Sequence, residues 1–366
     1  MRELRLTWAT LGLTFILLVA GGLVHATGSA LACPDWPLCY GSAFPTMKGI
    51  IFYEHGHRLI AGTVALLTLV LAYRLLKRLK NNPPYYRLGL AAFAALLSQP
   101  IVLGRAGMLL SGGSAYEGEP RILIITAVIT GLFTLGAAFA IARKSGGAIP
   151  AVGLFACQIV FFQAGLGGLT VLLKLPTLVS TLHLSTAMIY FMLMIFLSFR
   201  LRLKDAATGE PIVSRHLLGV ALGTLYAQIV YGALIRHTGS ALACNVDLFT
   251  CNGALIPESG AGWLLSGHRY FAFIVAALVI IAALKAIKAA QSAGRKLAAG
   301  LAQAAIALVL TQVVLGFLTV TSYVSISFAT LHLAGGSMLL ATVVTLFFAL
   351  GPMASATEQT IEGAAV

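Results

Sequence analysis

Ten apolar stretches run through this chain, near residues 7–26, 53–73, 88–110, 121–142, 149–173, 178–199, 216–236, 263–284, 298–321 and 326–350. Each is about 20 residues or slightly longer, the length a helix needs to cross a hydrocarbon core of ~30 Å. Lipid offers the backbone no hydrogen-bond partners, so a span must satisfy its own amides, as a helix does. Only 10 % of the 366 residues are charged and 59 % are hydrophobic, against about 25 % charged in a soluble domain. The fold class is therefore all-α, a polytopic membrane protein with about ten spans.

The net charge of +13 invites a nucleic-acid partner, but the distribution excludes one. Basic residues gather in short segments between spans: Arg74, Lys77, Arg78, Lys80 and Arg87; Arg143 and Lys144; Arg200, Arg202, Lys204 and Arg215; Lys285, Lys288, Arg295 and Lys296. That is the pattern of cytoplasmic loops. With the N-terminus inside, every cluster is cytoplasmic, and only Lys48, Arg58, Arg105, Arg121, Lys174, Arg236 and Arg269 of the 24 Lys and Arg fall elsewhere. An even number of spans returns the polar C-terminal tail to the cytoplasm. The first span follows Arg2 and Arg5 like a signal peptide, but no clear cleavage site ends it, so it reads as a retained helix. The expected location is the plasma membrane, in contact with lipid.

An internal repeat sets the architecture. Thr27-Gly28-Ser29-Ala30-Leu31-Ala32-Cys33 recurs as Thr238-Gly239-Ser240-Ala241-Leu242-Ala243-Cys244, and Gly56-His57-Arg58 as Gly267-His268-Arg269, both at an offset of 211. Leu169-Thr170-Val171 recurs as Leu318-Thr319-Val320, and Thr181-Leu182-His183-Leu184 as Thr330-Leu331-His332-Leu333, both at 149. The drop of 62 between these offsets is the length of one extra pair of spans in the first copy. The expected plan is two tandem four-helix bundles: residues 1–205, carrying an inserted helical hairpin over 80–148, and residues 206–366. An even number of spans per copy makes the copies parallel across the membrane.

Ionisable residues inside a membrane are costly and mark function. His57 and His183 fall at similar depth near the outer face, and His268 and His332 repeat the arrangement. Facing imidazoles across a bundle suit the two axial positions of a heme iron; the alternative is four buried histidines hydrogen-bonded to neighbouring helices. Zinc fits less well, since each copy lacks further ligands at that depth. Arg58 and Arg269 follow the histidines and are candidates for heme propionates, or for snorkelling to headgroups. His25 and His55 lie near the outer edge of the first copy, where the second has Arg236 and Ser266.

The copies differ in one carboxylate. Glu54 stands one helical turn before His57, and its counterpart is Leu265. A carboxylate beside a heme edge can relay protons or stabilise a developing cation, so the first copy is expected to handle substrate and the second to hold a permanent cofactor. The alternative is a helix-terminal acid stabilised by the dipole. Cys33 and Cys39 share one outer loop, and Cys244 and Cys251 the equivalent loop, an oxidising setting that admits two loop-local disulfides; free thiols and a redox relay are the alternatives. Pro34-Asp35-Trp36-Pro37-Leu38, inside the first pair, forms a rigid candidate lid. Cys157 reads as a packing residue.

Thr27-Gly28-Ser29, Cys33-Pro34-Asp35-Trp36-Pro37-Leu38-Cys39, Glu54-His55-Gly56-His57-Arg58 and the two Thr-Leu-His-Leu segments together resemble the heme A synthase family, over nearly the whole chain outside 80–148. The resemblance implies oxidation of the C8 methyl of heme O to a formyl group by successive hydroxylations, giving heme A for terminal oxidases. Carried onto this chain, it makes His57 and His183 the holders of the substrate heme, and His268 and His332 the ligands of a heme b cofactor. It makes Glu54 the catalytic acid and Cys33 and Cys39 the outer-loop pair that affects turnover. The implied partners are a heme O synthase and a quinone or another electron donor or acceptor, with a homo-oligomer as a further option. The family usually has eight spans, two fewer than this chain, and usually carries Arg where His25 stands. A di-heme electron carrier and a heme transporter or chaperone are the competing readings.

Overall fold

A computed structural model describes residues 2–112, 120–144, 146–202 and 215–351. Among them are ten long helices and no strands: α1 (Arg2–Ala26), α2 (Gly49–Leu76), α3 (Pro83–Leu110), α4 (Pro120–Ala142), α5 (Ala148–Leu172), α6 (Thr177–Arg202), α7 (His216–His237), α8 (Gly260–Ser292), α9 (Lys296–Thr321) and α10 (Ile326–Ala349). All ten are long and apolar enough to cross a membrane. The chain is thus an all-α polytopic membrane protein. The helices outrun the apolar stretches at their polar ends: α8 continues past residue 284 through Lys285 and Lys288, whose long side chains can reach the interface from within the last turns.

The chain divides into two compact units, Met1–Met194 and Ile195–Val366, and the division falls within α6. The expected boundary at 205/206 and the polar tail from residue 352 lie outside the described residues. In the second unit, α7 packs on α8, α8 on α9, α9 on α10 and α10 back on α7, closing a four-helix ring.

In the first unit α1 packs on α2 and α2 on α5. Helix α6 joins them through Phe15 of α1 against Phe191, with ring centroids 6.3 Å apart, the Thr68 and Tyr190 hydroxyls at 2.6 Å, and a bond from Gln163 of α5 to the His183 carbonyl. The remaining helices, α3 and α4, pair with each other and pack against α5. They are the inserted hairpin.

Small residues join the hairpin to the unit. Ala92, Ala137, Ala138 and Ala151 are buried together with Leu96, Leu154, Cys157 and Phe161. In lipid, helices associate by close packing and interhelical hydrogen bonds rather than by a hydrophobic drive. One such bond is reciprocal. Gln99 Nε2 donates to Gln158 Oε1 at 2.9 Å, and Gln158 Nε2 returns to Gln99 Oε1 at 3.4 Å, linking α3 to α5. Gln99 immediately precedes Pro100, where the helix lacks one backbone donor.

Gln99→Leu is expected to lower stability by about 1 kcal/mol, because it leaves the half-buried Gln158 amide without its partner. Gln99→Leu combined with Gln158→Leu should recover most of that loss. Thermal unfolding in detergent checks this, and additive losses would show that the two amides act independently.

Candidate functional site

Each of the four paired histidines occupies the same place in its helix. His57 is the ninth residue of α2 and His268 the ninth of α8. His183 is the seventh residue of α6 and His332 the seventh of α10. A rise of 1.5 Å per residue puts these side chains about 9 to 12 Å along their helices. His57 and His183 interact electrostatically, as do His268 and His332, so the fold brings together the pairs that the repeat offsets associate.

What seats each imidazole is a glycine on the preceding helix. A methyl group placed on Gly21 would lie 3.1 Å from His57 Cε1, on Gly167 3.0 Å from His183 Cε1, on Gly232 3.1 Å from His268 Cε1, and on Gly316 3.5 Å from His332 Cε1. Gly21 and Gly232 are separated by 211 residues, and Gly167 and Gly316 by 149, so the glycines obey the same two offsets as the histidines. At Gly21, Gly167 and Gly232 even a methyl group would crowd the neighbouring ring; at Gly316 it would make ordinary contact.

Glutamines one turn before three of these glycines touch the same histidine turns. Gln163 Nε2 donates to the His183 carbonyl, and its Oε1 accepts from the Thr186 hydroxyl. Gln228 Nε2 donates to the His268 carbonyl at 3.0 Å and lies 3.1 Å from His268 Nδ1. Gln312 packs against Gly335, which stands where the first unit has Thr186.

The Nδ1 atoms of His57, His183 and His332 are buried and meet no hydrogen-bond partner among the described residues. A buried polar nitrogen left unpaired is unfavourable, so satisfied core histidines do not describe these three rings. Paired imidazoles seated against glycines, three of them with an unpartnered Nδ1, are a donor set that suits a bis-histidine heme.

Around these pairs the units diverge. Cys33 is bonded to Cys39 and Cys244 to Cys251, and a bridge from Cys39 to Ser42 is repeated from Cys251 to Ala254. Beneath the first loop Glu54 is 4 % exposed. Its Oε2 accepts from the Cys33 amide at 2.8 Å, and its Oε1 pairs with Arg58 one turn on. The Arg58 guanidinium also donates to the carbonyls of Asp35 at 2.8 Å and of Leu38.

His55, also buried, meets the Ala43 carbonyl through Nε2 at 2.8 Å, and one of its nitrogens lies within 4.8 Å of both sulfurs of the first disulfide. Beneath the second loop, Leu265 packs on Cys244 and Cys251. There Arg269 Nη1 donates to the Thr250 carbonyl at 3.4 Å, and its Nη2 is buried with no hydrogen-bond partner among the described residues. His25 lines a cavity of about 160 Å³ with Gly28, Ala30, Leu31 and Leu175.

A family model described as a cytochrome oxidase assembly protein, COX15-CtaA, matches residues 4–49 and 124–344. The chain belongs to that family. Within the match lie the four loop cysteines, His183, His268, Arg269 and His332. Residues 50–123 are outside it, so Glu54, His57 and Arg58 are placed by the internal repeat and by geometry.

Curated relatives agree over most of the chain. A protein named heme A synthase from Bacillus pumilus is 26 % identical over 326 residues, covering 87 % of this chain and 85 % of the relative. One of the same name from Macrococcus caseolyticus is 26 % identical over 362 residues, covering 96 % of each chain. A third, from Bacillus licheniformis, is 25 % identical over 287 residues, covering 76 % of this chain and 73 % of the relative.

For this COX15-CtaA chain the glycine seats give a graded expectation. Gly21→Ala, Gly167→Ala and Gly232→Ala should each cut heme retention at the adjoining pair by roughly tenfold, in line with an overpacking cost of about 1–3 kcal/mol. Gly316→Ala, where the contact is an ordinary one, should retain heme. Absorbance of the purified variants measures this; equal retention in all four would remove the glycines from the site.

Proposed function

We propose that this chain is a heme A synthase, oxidising the C8 methyl of heme O to a formyl group through hydroxylated intermediates. The observation that carries the reading is two histidine pairs of matching construction, with a buried carboxylate beside one pair only. The names of the relatives support it. His57 and His183 would orient the substrate heme in the first unit. His268 and His332 would hold a b-type heme, which supplies one-electron transfer when bound. Arg269, with its unpaired Nη2, would meet a propionate of that heme. Arg58, engaged by the loop, would offer the substrate's propionates only its remaining donors.

Glu54 is proposed as the catalytic carboxylate. Arg58 and the Cys33 amide hold it in place, and each carboxyl oxygen has a second acceptor position open to a proton leaving the substrate. The loop closed by Cys33 and Cys39 would cover this side of the site and limit water. The working topology has both termini cytoplasmic and both pairs near the outer face. Heme O would come from its synthase within the membrane, and electrons would be exchanged with a quinone or another donor or acceptor. A homo-oligomer is compatible with this scheme.

The shared glycine–histidine construction of the two pairs favours one rival, a di-heme electron carrier. Co-expression with a heme O synthase in a host lacking heme A separates the two. The proposal expects a heme with the mass of heme A or its hydroxylated precursor. Glu54→Ala should reduce that product by about 10²- to 10⁴-fold, the usual contribution of a general acid or base, while leaving heme b bound. Only heme b and unmodified heme O from folded wild-type protein would contradict the proposal.

A further inference from the structure

The inserted hairpin has no counterpart in the second unit, and the reading above gives it no task. Near its C-terminal end α3 places Gly104, Gly107 and Ser111 on one face, at spacings of three and four. The disulfide loop of the first unit lies against that face. A methyl group on Gly107 would stand 2.7 Å from the Trp36 carbonyl oxygen and 2.9 Å from its Cζ3, and one on Gly104 would be 3.6 Å from Pro37 Cγ. The Trp36 amide donates to Ser111 Oγ at 3.3 Å. On the opposite side, a methyl group on Gly168 of α5 would lie 2.8 to 3.0 Å from three indole carbons. The indole is therefore gripped between a glycine of α3 and a glycine of α5.

The second unit fills this place differently. Gly168 corresponds to Phe317 at the offset of 149, and Phe317 meets Phe249 of the second loop with ring centroids 5.9 Å apart. Two aromatic rings there make the contact that, in the first unit, one indole makes with two backbones. The Trp36 slot exists because the hairpin supplies its outer wall.

We propose that α3 is a fixed wall against which the first disulfide loop is registered, and that Trp36 is its positioning residue. Through this registration the Cys33 amide and the Asp35 and Leu38 carbonyls are held over Glu54 and Arg58. The wall is a structural claim about the loop. Its consequence for catalysis rests on the first unit being the substrate site.

The test compares the two disulfides within one molecule. Purified full-length protein is treated with dithiothreitol, which is oxidised to its cyclic disulfide as each protein disulfide takes up two electrons and two protons. Mass spectrometry after alkylation follows each pair. Trp36→Ala and Gly107→Ala are expected to speed reduction of Cys33–Cys39 by at least about tenfold, while Cys244–Cys251 keeps its wild-type rate. The double variant should be no faster than the quicker single one, since both remove the same contact. Trp36→Phe should restore most of the protection. Should either variant purify poorly, Ser111→Ala removes the acceptor of the Trp36 amide together with a local bond to the Gly107 carbonyl, and should give a smaller acceleration confined to the same disulfide.

Unchanged rates at Cys33–Cys39, or equal acceleration of both disulfides, would overturn the proposal. Heme product from Trp36→Ala is measured alongside. Lost protection with undiminished product would leave the wall standing and count against the first unit as the substrate site.

Discussion

The close approach of a glycine backbone to an imidazole edge, made four times, is the contact on which the rest of this structure depends. A histidine in a membrane helix is costly unless its ring is both held and used. Holding the ring by shape needs no hydrogen bond, and Nδ1 of His57, His183 and His332 has no partner among the described residues. Shape requires that the facing helix present no side chain there, so Gly21, Gly167, Gly232 and Gly316 stand opposite the four rings. Because these seats lie on α1, α5, α7 and α9 and the rings on α2, α6, α8 and α10, each unit is assembled from glycine–histidine helix pairs.

On this shared frame the units differ through what lies beneath each disulfide loop. Under the second, Leu265 packs on the sulfurs and makes an apolar floor. Under the first, Glu54 and Arg58 form an ion pair that also hydrogen-bonds to loop backbone. Buried ion pairs offset their desolvation only when such extra bonds are made. A charged pair with so many loop contacts ties the loop to α2 far more tightly than a leucine can. The same contacts make the conformation of this loop and the carboxylate's position a single variable.

Much of this could be read from residues alone, for a physical reason: a repeat places chemically demanding residues at constant offsets. His57, His183, His268 and His332 stood out because a membrane makes each one expensive, and Glu54 because its counterpart is Leu265. The glycine seats follow the same offsets, yet glycine is common in membrane helices, and nothing in its chemistry singles it out before the neighbouring ring is seen. The Trp36 slot was beyond reach from sequence, because it joins residues 36, 107 and 168, which only packing brings together. Arg58 and Arg269 look equivalent in sequence. Their different surroundings, loop carbonyls for one and an unpaired nitrogen for the other, come from how each loop settles.

The central claim is that two histidine pairs of one design hold hemes of different status, one exchanged and one permanent. It is tested most directly by identifying the heme in each unit separately. A His57→Ala/His183→Ala variant and a His268→Ala/His332→Ala variant would be purified from cells making both heme b and heme O, and their hemes extracted and weighed by mass spectrometry. The account predicts heme b alone in the first variant, and heme O or its oxidised forms in the second. The same mixture of hemes in both variants would contradict it.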